Sequence, residues 1–215
     1  MQVTHLFAGK PQPFGPKGSP SSIIKQAYQQ LHVEKEGAVE DEQGNKQLHG
    51  GPEMAFHQYS TLGYEILQSA FPEHASKMQI GTIGENISIP DMHEENVFIG
   101  DVYTMGSLVL QVSSPRAPCA KINHRYDVKK VDSFILEQGN TGWYFRVLEP
   151  GTVAIGDTVN LSHREQQTCS VKDIMFMTKP PKGVEYSVQD IQKAATLSSL
   201  APEWQGKLNR ILKKL

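Results

Sequence analysis

This 215-residue sequence has no long apolar run, only two cysteines and no excess of basic residues. Its longest uninterrupted apolar run covers only residues 174–177, whereas about 20 apolar residues are needed to span a bilayer. We therefore expect a protein that does not enter the membrane. The first residues contain neither a charged leader nor an apolar stretch followed by a cleavage site, so we expect a cytoplasmic location.

The two cysteines, Cys119 and Cys169, are too few for a disulfide framework, and we expect both to be free thiols. The chain has 21 basic and 23 acidic residues, a formal net charge of −2. A dedicated nucleic-acid-binding protein normally has a basic excess, so the composition argues against nucleic acid as the main partner. At 38% hydrophobic residues the chain is nevertheless apolar enough to fold.

Several short signatures of common enzyme classes are absent. The sequence has no phosphate-binding loop ending in GK followed by S or T, no GxGxxG and no GxSxG. These absences exclude the usual nucleotide hydrolases and Rossmann dehydrogenases. His93 and Glu94 begin like a zinc-protease helix, but Val97 occupies the position of the second histidine, so we expect no structural zinc.

Glycine and proline divide the first part of the chain into short elements. Between them lie six β-type runs, at residues 2–8, 83–89, 102–105, 108–113, 143–148 and 158–162. Strands do not alternate with helices of 10 to 15 residues, which disfavours a doubly wound parallel sheet. The pattern predicts a mostly β (α+β) fold, an antiparallel barrel or sandwich interrupted by helices near residues 60–71 and 128–138.

The sequence becomes helical after about Cys169. Ser170 and Ser187 are suited to cap two helices, and Pro202 is suited to begin a third. We therefore predict a β-barrel-like domain over residues 1–165 and a three-helix subdomain over residues 166–215. In the last helix an apolar stripe runs through Trp204 and Leu208, which would pack on the barrel or on a second subunit, so a homodimer stays open.

Two polar clusters adjoin glycines in the strand-rich part. The first begins around Asp41 and ends in His49, Gly50 and Gly51, where two glycines allow backbone amides to approach a ligand. In the second, Asn86 follows Gly84 and Glu85 and can offer both a donor and an acceptor to a heterocycle. Taken alone, each cluster is more typical of a turn than of a ligand site.

Cys119 lies in the most informative segment, SSPRAPCAKIN. Two prolines stiffen this segment where a strand passes into a loop. Arg116 and Lys121 flank the cysteine, and neighbouring positive charge favours the thiolate, the form that binds metals or attacks electrophiles. A lone cysteine is more often a small buried side chain, and we assign that role to Cys169.

Taken in order, these segments resemble the MOSC domain, the module shared by molybdenum cofactor sulfurases and amidoxime-reducing proteins, and in particular its bacterial YiiM type. The matching pieces cover roughly residues 1–163 and are DEQ and LHGGPEMAFHQY at 41–59, GENISI at 84–89, NVFIGD at 96–101, LQVSSPRAPCAKIN at 110–123, GWYFRVLEPG at 142–151 and GDTVNL at 156–161. The pair of HGGP and PRAPC is the most specific part of the match.

The resemblance implies a MOSC β-barrel-like fold that holds a molybdenum cofactor (molybdopterin), with Cys119 as the molybdenum ligand. Basic side chains could offset the negative charge of a phosphorylated pterin dithiolene, which is a suitable role for Arg116 and Lys121. Asn86 and the amides of Gly50 and Gly51 are the further candidates for binding the cofactor. His49 and Asp41 are candidate catalytic residues, His49 as a hydrogen-bond donor or proton carrier and Asp41 as the group that orients it.

The resemblance also suggests a reaction. We expect reduction of N-hydroxylated small molecules, such as hydroxylamino purines, by oxygen-atom transfer, with electrons from a separate flavoprotein because the chain has no flavin or nicotinamide fingerprint. Three alternatives stay open. In the first, the domain carries the cofactor or sulfur without turnover. In the second, Cys119 is a metal-free nucleophile with His49 or His124 as base. In the third, the final helices, with the basic residues Lys207, Arg210, Lys213 and Lys214, bind nucleic acid or another partner.

Overall fold

The computed structural model describes residues 1–44 and 50–215. Within these ranges the strands are β1 (His5–Ala8), β2 (Gln12–Phe14), β3 (Ser19–Ser21), β4 (Gln26–Tyr28), β5 (Gln30–Glu34), β6 (Gly37–Ala38), β7 (Phe56–Gln58), β8 (Ile87–Ser88), β9 (Val102–Met105), β10 (Leu108–Pro115), β11 (Trp143–Glu149), β12 (Gly151–Ala154) and β13 (Val159–His163). The helices are α1 (Thr61–Ala70), α2 (Lys121–Tyr126), α3 (Val131–Gln138), α4 (Val171–Thr178), α5 (Val188–Ala195) and α6 (Pro202–Leu212), with 3-10 turns at Pro52–Met54 and Pro72–Lys77.

A curled eight-stranded sheet is the centre of the fold, in the order β13, β9, β10, β11, β7, β8, β1, β4. Its neighbours pair antiparallel except for β7 and β8, which are parallel. Strands β12, β5 and β6 form a second sheet, and β2 with β3 forms a hairpin. The α+β architecture predicted from the sequence is therefore confirmed.

Two elements are shorter than the sequence predicts, and the conformation of the backbone explains both. The run predicted at residues 83–89 is a strand only at Ile87–Ser88, because Gly84 has φ 92° and the amide of Gly81 donates to the carboxylate of Glu85. The helix predicted from residue 128 begins at Val131, after Asp127 and Lys130 adopt positive φ values of 56° and 66°. The short helix α2 and strands β2 to β7 and β12 were not predicted from the sequence.

The three predicted C-terminal helices are present. Ser170 and Ser187 each form a capping box, with Asp173 and Asp190 respectively, and Pro202 begins α6. The apolar faces of these helices join the same hydrophobic core as the large sheet, so the core crosses residue 165 without a break. The division at that residue stays a prediction.

A second hydrophobic cluster lies between helices α1, α2 and α3. Tyr59, Tyr64, Ile122 and Tyr126 are fully or almost fully buried there. This cluster fixes α2 against the body of the protein, and with it the loop that carries Cys119. None of the helices in the described ranges has the length and apolar character that crossing a bilayer requires.

Candidate functional site

An open cavity, with about 670 Å³ of empty space when the part open to solvent is included, lies where the loop after β10 faces the segment between β3 and β4. Four of the candidate residues from the sequence are in its wall together with Cys119. The lining residues are Pro20, Ser21, Ser22, Ile23, Lys25, Asp41, Glu42, Gln43, Gly44, Met54, His57, Ile83, Gly84, Asn86, Arg116, Cys119, Lys121 and Tyr144.

Cys119 is half-buried in this wall, between the end of β10 and the start of α2. Its carbonyl accepts a hydrogen bond from the amide of Ile122 (3.0 Å), which fixes it at the first turn of the helix. Cys169, in contrast, is 1% exposed and belongs to the hydrophobic core, where burial raises the pKa of its thiol. Both cysteines are free thiols, as expected, and Cys119 is the one that a ligand in the cavity can reach.

Arg116 is a buried cation in the same wall. Its backbone amide donates to the carbonyl of Gly142 (3.0 Å), which ties the loop to the start of β11. The residue is only 8% exposed, and its Nη1 has no hydrogen-bond partner among residues 1–44 and 50–215. A buried guanidinium nitrogen with an open donor at a cavity is suited to an anionic ligand.

Lys25 and Asp41 form a buried ion pair on the opposite side, with Nζ 2.6 Å from Oδ2. Burial lowers the pKa of Lys25, and the Asp41 carboxylate opposes that shift. Asp41 also accepts from the amide of Gly9 (2.8 Å) and from the Nδ2 of Asn86 (2.8 Å). The carboxylate is thus held by three donors, from Gly9, Lys25 and Asn86, and the catalytic role expected of Asp41 stays a prediction.

Asn86 is buried and largely committed to the protein. Its Nδ2 donates to Asp41 and to the carbonyl of Phe7 (3.3 Å), and its Oδ1 accepts from the amide of His57 (3.1 Å). One lone pair of Oδ1 is therefore what Asn86 can still offer to a ligand. The carboxylate of the preceding residue, Glu85, accepts a hydrogen bond from Tyr64 Oη (2.5 Å) and so fixes the segment before β8.

Lys121 lies at the rim of the cavity, where its ammonium group donates to the carbonyl of Pro20 (2.8 Å). This bond ties α2 to the β2–β3 hairpin. Gly44 approaches the same hairpin so closely that a Cβ there would lie 2.8 Å from the Pro20 carbonyl oxygen. The hairpin is therefore a fixed wall of the cavity.

Gly50 and Gly51 are not among the described residues that line the cavity. Gly51, with φ 92°, precedes the 3-10 turn at Pro52–Met54, and of that turn Met54 lines the cavity. Glu53 anchors the turn through a bidentate ion pair with Arg146 of β11. The roles assigned to Gly50 and Gly51 stay predictions, and His49 lies outside the described residues.

Two aromatic side chains complete the cavity wall. Tyr144 of β11 packs beside His57 of β7, with ring centroids 5.3 Å apart. Burial raises the pKa of the Tyr144 hydroxyl, and the nearby Arg116 opposes that shift. Tyr144 therefore keeps its proton at neutral pH and can act as a donor.

Lys25 and Tyr144 were missed by sequence reasoning. Lys25 follows two isoleucines in a segment without a motif, and no local signal marks it. Tyr144 belongs to a motif that was recognised, GWYFRVLEPG, but alternation alone did not tell which side chains of β11 face the cavity. His57 lies within the recognised motif LHGGPEMAFHQY, and the sequence assigned no role to it.

The comparisons with known proteins agree with this architecture. The MOSC domain family model matches residues 45–160, more than half of the chain. The chain belongs to the MOSC domain family. Members of this family are associated with molybdenum cofactor binding, and the matched region includes Cys119, Arg116 and Asn86.

Relatives identify this MOSC protein as one of the YiiM type. It is 35% identical over 160 residues to Protein YiiM of Escherichia coli (strain K12), which is 74% of this chain and 71% of YiiM. It is also 35% identical over 156 residues to a protein named Reductase from Gibberella moniliformis (strain M3125 / FGSC 7600), covering 72% of this chain but only 28% of that reductase. The crystal structure of YiiM from Geobacillus stearothermophilus has the same fold, with a TM-score of 0.79 and 22% identity over 98% of both chains.

Proposed function

We propose that this MOSC protein binds a molybdenum cofactor in the cavity and uses it to reduce N-hydroxylated small molecules, such as hydroxylamino purines. The observation that carries the proposal is the position of Cys119, a half-buried thiol in a cavity whose wall also contains the buried cations Lys25 and Arg116. The reductase named among the relatives supports an oxidoreductase function at the coarser level.

The residues of the cavity fit such a cofactor. A thiolate is a soft ligand for a transition metal, and Cys119 is the thiol in the wall. A pterin dithiolene with a phosphate is anionic, and the open Nη1 of Arg116 and the ammonium of Lys25 provide positive charge and donors for it. In our proposal Cys119 holds the metal, and Arg116 and Lys25 hold the anionic part.

The other residues have supporting roles in the proposal. When bound, the cofactor supplies oxygen-atom transfer coupled to a two-electron redox change. Asp41 favours the charged form of Lys25, against the effect of burial, and fixes the amide of Asn86. Tyr144, whose pKa is raised by burial, keeps a proton at its Oη and can donate a hydrogen bond to the N-hydroxyl oxygen of a substrate.

Electrons must come from outside the chain, since the sequence has no flavin or nicotinamide fingerprint. We propose a separate flavoprotein as the donor. This division of labour lets the cavity be tested with a chemical reductant in place of the natural donor.

Replacing Cys119 by Ala tests the proposal directly. Protein produced in cells with an intact cofactor pathway should contain molybdenum and pterin as wild type and lose most of both as Cys119→Ala, because the metal loses its protein ligand. The measurements are elemental analysis and pterin fluorescence, followed by turnover of a hydroxylamino purine with a chemical reductant. Cys169→Ala, which changes the thiol in the core, is the matched control and should keep cofactor and turnover.

The same experiment separates the second candidate function, a carrier of cofactor or sulfur. Stoichiometric cofactor without turnover in wild type would select the carrier. Full activity in a sample free of metal, lost on alkylation of Cys119, would instead select a thiolate nucleophile and would sink the molybdenum proposal.

A further inference from the structure

A group of basic side chains lies on α2, on the loop that follows it and on the β2–β3 hairpin, and one of them, Lys121, lines the cavity. We name the surface formed by Lys17, Lys121, Arg125, Lys129 and Lys130 the basic rim. Lys17 lies in the turn of the β2–β3 hairpin, and the other four lie on α2 or in the loop between α2 and α3. Lys17, Lys129 and Lys130 are exposed to solvent.

Contacts between the elements place the basic rim next to the cavity. Lys121 lines the cavity itself. His124 of α2 lies against the hairpin, with its Cδ2 3.6 Å from the position of a Cβ on Gly15. Asn123 of α2 donates to Asp132 in the first turn of α3 (2.9 Å), which keeps the loop with Lys129 and Lys130 close to α2. The rim is thus continuous with the wall that carries Cys119.

The charge of the basic rim is not neutralised locally. Residues 116–132 contain five lysines and arginines and two acids, Asp127 and Asp132, in a chain whose net charge is −2. Within the described ranges, no residue of the rim forms an ion pair, whereas Lys25, Lys172 and Lys207 elsewhere do. An exposed, unpaired concentration of one sign gives a long-range field that can steer an oppositely charged partner.

We propose that the basic rim is the docking surface for an acidic face of the flavin-containing protein that donates electrons. The inference rests on the proposed function, because it assumes that electrons are delivered to the cavity. A donor that approaches the rim brings its flavin towards the mouth beside Cys119. Charge complementarity would set the encounter rate and the orientation of the two proteins.

A protein fits this surface better than nucleic acid. The rim ends at the cavity, whose wall also contains the acidic residue Glu42, and the chain as a whole has a net charge of −2. A long polyanion that extended beyond the rim would meet this excess of negative charge. A compact acidic surface of limited size would not.

The double variant Lys129→Glu and Lys130→Glu tests the inference in the cofactor-loaded full chain. Both residues are exposed and outside the cavity wall, and a glutamate at the start of α3 is favoured by the helix dipole, so the fold should be kept. Turnover of a hydroxylamino purine is measured with two donors, reduced flavodoxin as an acidic flavoprotein and photoreduced 5-deazariboflavin as an uncharged reductant.

We expect kcat/KM for flavodoxin to fall about tenfold at low ionic strength, with the difference closing as salt is added. The deazaflavin rate, the molybdenum content and the thermal unfolding should be unchanged. Lys213→Glu with Lys214→Glu, beyond the end of α6, makes the same change in charge away from the rim and should leave both rates unchanged. Flavodoxin binding to the metal-free chain, measured by calorimetry, should weaken only in the rim variant.

The outcomes distinguish the two proposals. Equal flavodoxin rates and equal flavodoxin binding in wild type and rim variant would overturn the docking surface. A loss confined to the Lys213 and Lys214 variant would move the docking site to α6 and overturn it as well. Absence of turnover in wild type with deazaflavin would reject the reductase function, and the binding measurement would still decide the surface. A DNA duplex bound more tightly than flavodoxin, and released by the rim variant, would replace the protein partner by nucleic acid.

Discussion

Lys25 and Asp41 are charged side chains that the fold places almost entirely out of water, with 5% and 8% of their side-chain surfaces exposed. Removing two charges from water is costly, and a buried pair of this kind is weak as a source of stability. Asp41 accepts three hydrogen bonds, which fix the positions of Lys25, Asn86 and the amide of Gly9.

Glu94 is a second buried acid, behind the wall that carries Arg116. Its Oε1 accepts from the amide of Gly142 (2.7 Å) and its Oε2 from Ser60 Oγ (3.3 Å). Burial nevertheless raises its pKa from 4.5 to about 7. The folded state therefore binds the proton more tightly than the unfolded state, so the contribution of Glu94 to stability is full below about pH 4.5 and is lost as the pH rises to 7.

This shift predicts the effect of replacing Glu94 by Gln. Because glutamine cannot ionise, the free energy of unfolding of Glu94→Gln should rise relative to wild type by about 3 kcal/mol between pH 5 and pH 8. Urea unfolding of both proteins at the two pH values measures the difference. The exposed Glu65→Gln in α1 should follow the wild-type pH dependence. A constant difference between Glu94→Gln and wild type would contradict a raised pKa.

At the scale of elements, the start of β11 connects the two sides of the site. Gly142 precedes β11, its amide donates to Glu94, and its carbonyl accepts from the amide of Arg116. Its φ is 75°, and a Cβ there would lie 2.5 Å from the carbonyl oxygen of Gln58 on β7. The close approach of β7 and β11 therefore requires glycine at this position.

Gly142→Ala should destabilise the protein for two reasons, the left-handed backbone and the contact with β7. Gly156 has a φ of 93° but no atom within 4 Å of the position of a Cβ, so Gly156→Ala isolates the backbone effect. We expect Gly156→Ala to cost about 1 kcal/mol and Gly142→Ala about 2 kcal/mol more. Urea unfolding measures the free energy of unfolding of both variants. Equal decreases would show that β7 and β11 can move apart at position 142 without loss of stability.

At the scale of the whole molecule, one core joins the large sheet to the C-terminal helices. Leu208 and Trp204 of α6 lie in the same cluster as Phe145 and Leu110 of the sheet. The amide of Ala201 also donates to the carbonyl of Ser113 on β10 (2.9 Å). Such continuity favours cooperative unfolding of the two parts.

Leu208→Ala tests this cooperativity. Leu208 is fully buried, so the change should lower the free energy of unfolding by about 3 kcal/mol and shift the entire transition. Unfolding in urea is followed by tryptophan fluorescence and by far-UV circular dichroism, which should give coincident curves. The exposed Arg210→Ala on the same helix should change stability little. Separate transitions in Leu208→Ala would support an independent helical subdomain instead.

The sequence by itself determined the features that are local. Strand β9, the capping boxes at Ser170 and Ser187, and the start of α6 at Pro202 follow from alternation, short polar side chains and the fixed φ of proline. The loop around Cys119 was likewise visible, because its prolines and basic residues are adjacent in the chain. These signals act within a few residues, and no distant contact is needed to read them.

Only the tertiary structure decided which distant residues meet. Asp41 lies 16 residues after Lys25 and 45 before Asn86, yet all three are joined by hydrogen bonds in one wall. Antiparallel pairing of β1 with β4 and β8, and the parallel pairing of β8 with β7, bring these segments together. Strand pairing depends on packing across the entire sheet, so no window of the sequence contains it.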